Sequence, residues 1–142
     1  MKPMDTIIKR LQESGHRIGR GRRAVLATLL KSRQPMSALE LHTQLVKAKL
    51  SADKVTVYRE LKFLSDVGIA HPVHLKDNIQ RYEIAPESGH KHHLICTTCK
   101  TVKDVEMGCD ALHAIEKNIG RKTHFKVRGH SLEFYGLCSH CA

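Results

Sequence analysis

Four of the five cysteines stand as two Cys-x-x-Cys pairs, Cys96/Cys99 and Cys138/Cys141, with 38 residues between the pairs. Each pair sets two thiolates on one tight turn, and two such turns close a tetrahedral all-sulfur shell of the kind that holds zinc. A closed shell leaves no open coordination position, so this zinc is expected to hold structure and do no chemistry. Just upstream runs Gly89-His90-Lys91-His92-His93, three imidazoles within four residues. One chain thus offers a soft sulfur site and a nitrogen-rich one, which points to one metal for folding and another for sensing or catalysis.

The competing use of the cysteines is a pair of disulfides. The start of the chain, Met1-Lys2-Pro3-Met4-Asp5, is polar and lacks the apolar run of a secretory signal. Pairing four cysteines would also leave Cys109 over, which suits an oxidising compartment poorly; alone, Cys109 reads as a small apolar packing residue. No apolar stretch approaches the roughly 20 residues needed to span a bilayer. The expectation is a soluble, cytoplasmic protein with no membrane association.

The net charge of +10 is unevenly spread over the 142 residues. Residues 1–84 carry sixteen Lys and Arg against eight Asp and Glu, whereas residues 85–142 carry eight against six. The asymmetry points to a polyanion as partner for the first part, although a solvated basic surface would look the same.

Elements that could position these groups follow from periodicity. In the first half, helices are predicted over Met4–Ser14, Arg20–Ser32, a segment after Ser37, and one from near Thr56 to Gly68. Ser37 and Glu40 have the spacing of a capping box, with Leu41, Leu45 and Val46 as the core face behind it. In the fourth helix Val57, Leu61 and Leu64 face inward, and Thr56 is the expected cap. Extended runs at 69–75 and 80–84 flank Lys76-Asp77-Asn78, a hairpin turn. Helices closed by a hairpin describe a winged helix-turn-helix, in which the last helix enters the major groove of DNA. Thr56, Tyr58, Arg59 and Lys62 then point outward or to the flanks, suited to base edges and phosphates. Arg20, Arg22 and Arg23 open the second helix and are better placed for phosphates.

The second half reads as a small α/β unit. Strands are expected through Leu94-Ile95-Cys96 and 101–106, then a helix over about 110–122 with Leu112, Ile115 and Ile119 inward, then extended runs at 125–127 and 131–135. So thin a core needs a metal or a partner subunit. His90 and His92 alternate onto one face of an extended segment and His93 onto the other, toward Glu83 and His71. His113 lies on the helix, and His130 begins the last strand.

Three segments resemble the ferric uptake regulator family of bacterial metal-responsive repressors: Lys54-Val55-Thr56-Val57-Tyr58-Arg59-Glu60-Leu61, His92-His93-Leu94-Ile95-Cys96-Thr97-Thr98-Cys99, and Gly129-His130-Ser131-Leu132-Glu133-Phe134-Tyr135-Gly136-Leu137-Cys138. The resemblance covers nearly the whole chain. It implies an α+β homodimer with a winged-helix DNA-binding domain (1–84), a hinge (85–90) and a metal-binding dimerisation domain (91–142). It implies structural zinc on Cys96, Cys99, Cys138 and Cys141, and a regulatory metal on His90, His92, His113 and His130. It carries Lys54, with Thr56, Tyr58, Arg59 and Lys62, to operator DNA. A hinge site is matched only in part, by Glu83 and His93. Pro35 and Lys91 stand where the family's usual imidazoles would be, and His71 is the residue that would complete the site.

An all-imidazole regulatory shell favours zinc or ferrous iron over manganese. A peroxide-sensing member of the family fits less well, because the His-and-carboxylate hinge site such members oxidise is incomplete. Two other readings compete. A zinc hydrolase or deaminase on the His cluster needs an open coordination position and a fixed general base. The deaminase signature is absent, and only Glu83 and Glu106 offer a base. A zinc-ribbon adaptor would leave the Tyr58-Arg59 helix without a use. The sequence therefore points to a metal-dependent repressor, not an enzyme, with DNA and a second copy of itself as partners and no small-molecule substrate.

Overall fold

The computed structural model describes residues 2–50, 52–86 and 92–142. The chain divides into two compact units, Met1–Glu87 and Ser88–Ala142. The expected hinge overlaps residues 87–91, and His90 with it lies outside the described residues.

The first unit strings α1 (Pro3–Glu13), α2 (Arg20–Lys31), β1 (Met36–Ser37), α3 (Ala38–Lys47), α4 (Lys54–Asp66), β2 (Ala70–His74) and β3 (Gln80–Ile84). Its core gathers Leu11 from α1, Val25, Leu26 and Leu29 from α2, Leu41 and Leu45 from α3, and Val57, Leu61 and Leu64 from α4. These are the apolar residues at helical spacing, turned to one centre. Val46 is the exception. It follows Leu45 by one residue, about 100° round the helix from the Leu41–Leu45 stripe, and it is exposed.

The capping box at the start of α3 is present in both directions. The Glu40 amide donates to Ser37 Oγ at 3.1 Å, and the Ser37 amide donates to a Glu40 carboxylate oxygen at 2.8 Å. At α4 the cap differs from expectation. Asp53, not Thr56, is the N-cap, and its carboxylate accepts from the Thr56 amide at 2.7 Å. The helix thus starts ahead of Thr56 and frees the Thr56 methyl for packing. A Cβ placed on Gly21 would fall 2.9 Å from Thr56 Cγ2, so a side chain at 21 would push α2 off α4.

β2 and β3 form the expected antiparallel hairpin, with Ala70 opposite Ile84 and His71 opposite Glu83. Its turn bends through Lys76 and Asn78, both with positive φ, and Asp77 binds the Arg81 guanidinium at 2.7 Å. The short β1 pairs with β3 as well, giving the sheet order β1-β3-β2. Two residues carry no periodicity, so nothing in the sequence marks β1.

The second unit holds β4 (His92–Cys96), β5 (Val102–Val105), α5 (Asp110–Thr123) and β6 (Glu133–Gly136), with sheet order β5-β4-β6. β4 is central, antiparallel to β5 and parallel to β6. Residues 125–127, expected as a strand, belong to none, and His130 precedes β6 instead of opening it. Leu112 on α5 is half-buried, but Ile115 and Ile119, expected inward, are exposed. No residue of α5 is fully buried. Among the described residues no helix is long and apolar enough to cross a membrane.

Candidate metal centres and DNA-facing helix

The four paired cysteines meet at one end of the second unit, their sulfurs all within 4.8 Å of one another. β4 ends at Cys96, and the turn that follows is closed by the Lys100 amide donating to the Cys96 carbonyl at 3.0 Å. That turn requires a left-handed residue, and Lys100 takes φ 63°. The second knuckle closes likewise, the Cys141 amide donating to the Cys138 carbonyl at 3.0 Å. The two knuckles are joined through Thr97, whose amide donates to the Gly136 carbonyl at 2.9 Å at the end of β6.

The sulfur geometry fits zinc. Zn–S bonds of about 2.3 Å in a tetrahedron put neighbouring sulfurs about 3.8 Å apart, and Cys99 and Cys138 stand 3.7 Å apart. Electrostatics agree. The Cys138 and Cys99 amides, aimed at Cys96, hold its thiol down to about 6. Hydrogen bonding with Thr101 lowers Cys99, while bonding with Cys138 and Cys96 pushes Cys141 up to about 12. A divalent cation bound by the four sulfurs would take the place of the thiol protons.

A second cluster lies around β4. His92 is 1% exposed, and its Nε2 stands 3.4 Å from Cys109 Sγ. The rings of His92 and His130 stack with centroids 5.5 Å apart and planes 15° off parallel. The ligand atoms of His92, Cys109 and His130 lie within 4.8 Å of one another, close enough to share one ion. His113 is nearby but more peripheral, its ring 6.3 Å from that of His130 in an edge-on arrangement. His130 Nδ1 donates to Glu116 at 2.5 Å, the hydrogen bond by which a carboxylate orients an imidazole and leaves the lone pair on Nε2. His93 points away from this cluster's partners on β4 and stands 3.8 Å from Asp104, its register neighbour on β5. On the wing, His71 and Glu83 face each other across β2 and β3.

Of the expected regulatory residues, then, His92 and His130 are brought together, with His113 at their edge. Cys109, expected as a small apolar packing residue, joins them with its sulfur beside His92, and Glu116, not singled out in the sequence, joins through His130. Their signal is helical spacing: Cys109, the N-cap of α5, His113 and Glu116 stand at i, i+4 and i+7, one face of one helix.

On the first unit, α4 presents Lys54, Tyr58, Arg59 and Lys62 outward, Tyr58 being 61% exposed. Lys62 pairs with Asp66 at 3.0 Å, an exposed bond easily exchanged. Thr56 is half-buried against α2. Arg20 and Arg23 are exposed at the start of α2. Arg22 has another use. Its Nε binds Glu60 at 2.7 Å, Nη1 binds the Arg17 carbonyl at 2.7 Å, and its guanidinium lies 3.7 Å over the Phe63 ring. The Arg22 and Glu60 side chains are only 16% and 12% exposed. A guanidinium so engaged ties α2 to α4 and is a poor candidate for a phosphate.

Comparison with known proteins agrees with this geometry. The model of the ferric uptake regulator family matches residues 13–135. The chain is 31% identical to the ferric uptake regulation protein of Bacillus subtilis (strain 168), over 97% of this chain and 93% of that one. It is 29% identical to the peroxide-responsive repressor PerR of Staphylococcus aureus (strain USA300), over 97% and 90%. Among solved structures, the ferric uptake regulator of Vibrio cholerae, described for a rearrangement of its DNA-binding domains, superposes with a TM-score of 0.69 at 28% identity, covering 92% of this chain and 98% of that one. Matched over most of its length, with cysteine, histidine and helix constellations in place, this chain belongs to the ferric uptake regulator family.

Proposed function

We propose that the chain works as a homodimeric, operator-binding transcriptional repressor whose corepressor is a metal ion held in the second unit. The observation that carries the DNA role is the outward face of α4. An exposed tyrosine and arginine sit at the start of a helix whose other face is locked into the core by Val57, Leu61 and Leu64. A rigid helix with a free polar-aromatic face is what major-groove reading requires. Tyr58 and Arg59 are assigned to base edges, and Lys54, Lys62, Arg20 and Arg23 to phosphates. Arg22 is reassigned to holding α2 and α4 together.

The dimer role is supported by the apolar surface of the second unit. Leu94, Ile115, Ile119, Phe125, Phe134 and Leu137 are all exposed in the single chain. A partner subunit of the same chain is the cover a metal-bearing half-domain of this size needs. The Cys96, Cys99, Cys138 and Cys141 shell holds structural zinc. His92 and His130, with His90 and His113, hold the regulatory ion, zinc ahead of ferrous iron. The His71–Glu83 pair on the wing and His93 beside Asp104 are further ligand pairs for that regulation. A metal acts as corepressor by binding the DNA-competent state more tightly than the other, so the shift it produces is limited by that difference.

The test is binding to the DNA upstream of the protein's own gene, with zinc, ferrous iron and manganese titrated in turn. Zinc is expected to raise affinity at the lowest concentration. Tyr58→Ala should cost about 1–3 kcal/mol on the specific site and lower the ratio of specific to random binding, whereas Arg23→Ala should weaken all sequences and reduce the salt slope. An unchanged ratio in Tyr58→Ala would remove α4 from the readout.

A further inference from the structure

We propose that the Cys109 thiolate is itself a ligand of the regulatory metal, sharing the ion with His92 and His130. The inference rests on the second unit being metal-responsive and deepens it by naming a sulfur donor, and therefore the class of ion.

The geometry points to coordination in three ways. A tetrahedral ion with bonds of about 2.3 Å to sulfur and about 2.0 Å to nitrogen sets its sulfur and nitrogen ligands about 3.5 Å apart. His92 Nε2 and Cys109 Sγ stand at 3.4 Å. Further, the three ligand atoms come from three separate places: β4, the N-cap of α5 and the segment before β6. Three elements delivering donors to one point, with the His130 ring held from behind by Glu116, is a built arrangement rather than a local accident of one turn. Finally, Cys109 is half-buried beside the fully buried His92, so both donors are withdrawn from bulk water.

A thiolate changes what the site prefers. An all-imidazole shell accepts zinc, iron, nickel or copper, whereas one sulfur among the donors biases it toward zinc and other borderline-soft ions and further from manganese. Three ligands also leave a fourth position, beside which His113 stands with its ring 6.3 Å from that of His130. Ions at such a site exchange more readily than in the closed four-cysteine shell, as a sensor requires. The two metal centres of the second unit would then differ in donor count and accessibility, with sulfur common to both.

The experiment uses the full-length protein carrying its four-cysteine zinc, titrated with cobalt(II) as an optical probe, with zinc content measured throughout to show that the all-sulfur site keeps its metal. The wild type should gain a near-ultraviolet thiolate-to-cobalt charge-transfer band and strong visible bands of a four-coordinate ion, saturating at one cobalt per chain. In Cys109→Ser the charge-transfer band should vanish and cobalt affinity fall by roughly a hundredfold. A wild-type spectrum without that band, or one unchanged in Cys109→Ser, would overturn the proposal and leave Cys109 as a thiol hydrogen-bonded to His92. Should Cys109→Ser fail to fold, alkylation of the wild type decides: metal should slow modification of Cys109 roughly tenfold or more, and an equal rate with and without metal overturns the assignment. Operator binding measured on the same samples separates the two readings. Metal-responsive DNA binding without the band removes only Cys109, and the band without metal-responsive DNA binding removes only the repressor.

Discussion

The two units of this chain are stabilised by different physics. In the first, four helices and a small sheet surround a contiguous core in which Val25, Leu26, Leu41, Leu45, Val57 and Leu64 are fully buried. In the second, the buried apolar residues among those described are Ile95, Cys96 and Val102, joined by His92 and His93. Hydrophobic burial at about 25 cal/mol per Å² is enough to hold the first unit but leaves little to hold the second. What the second has instead is two clusters of side chains able to hold a metal and an exposed apolar surface. The difference suits the work. A reader of DNA must keep its shape by itself, whereas a unit with so thin a core gains its stability from a bound structural ion.

Metal removal should break this comparison most visibly. A chelator strong enough to strip the four-cysteine site should unfold the second unit and dissociate the dimer, since structural zinc sites contribute on the order of 10 kcal/mol. Amide exchange in α1–α4 should stay slow. If both units lost protection together, the first would not be independently stable. Cys96→Ser should give the same pattern with zinc absent from the purified protein.

A core truncation is the converse. Leu61→Ala removes a side chain 1% exposed at the centre of the first unit, and should cost about 2–5 kcal/mol in denaturant unfolding of that unit. Bound zinc should be unchanged. A loss of zinc in this variant would show that the second unit depends on the first.

The Arg22–Glu60 pair should matter less but sharpen the assignment. Arg22→Met leaves Glu60 without its cation in a largely buried place and should cost up to about 3 kcal/mol. Its salt slope for DNA should match the wild type after correction for folded fraction, because Arg22 contacts Glu60 and not phosphate. A slope reduced by about one would return Arg22 to the phosphate set.

The smallest effect concerns the cap of α4. The Thr56 amide, then its hydroxyl, and the nearby Arg59 and His42 hold the Asp53 carboxyl below its usual 3.8. A depressed folded-state value means the folded protein binds this proton less readily than the unfolded one. The contribution is therefore present above about pH 4 and is lost as pH falls through the folded value. Asp53→Asn should flatten that acid dependence slightly while keeping the cap, and the Thr56 amide should exchange at its usual rate at neutral pH. Faster exchange there would mean that charge, beyond hydrogen bonding, anchors the helix end.

Most of the first unit is legible in the residues because its helices depend on local signals. Periodic leucines and valines, the Ser37–Glu40 box and Gly68 with φ 75° all act within a few residues of themselves. The differences in helix bounds and facing there are of one turn or less, as at Asp53 and Val46. The second unit is legible in its cysteines, since Cys-x-x-Cys carries its own turn geometry, and illegible in its helix. Ile115 and Ile119 have core spacing, but whether such a stripe meets a sheet or a second chain depends on surfaces far away in sequence.

By itself the sequence determined the paired cysteines, a set of candidate imidazole ligands and a helix with a basic, aromatic outer face, because ligand type, turn spacing and helical period are properties of short segments. Only the tertiary structure decided which of those residues meet. It placed Cys109 3.4 Å from His92 across 17 residues of chain and turned Arg22 onto Glu60 across 38. Both contacts join separate elements, and the chain geometry that sets them is written in no local pattern: it follows from how β4, α5 and the loop before β6 pack in one unit, and α2 against α4 in the other.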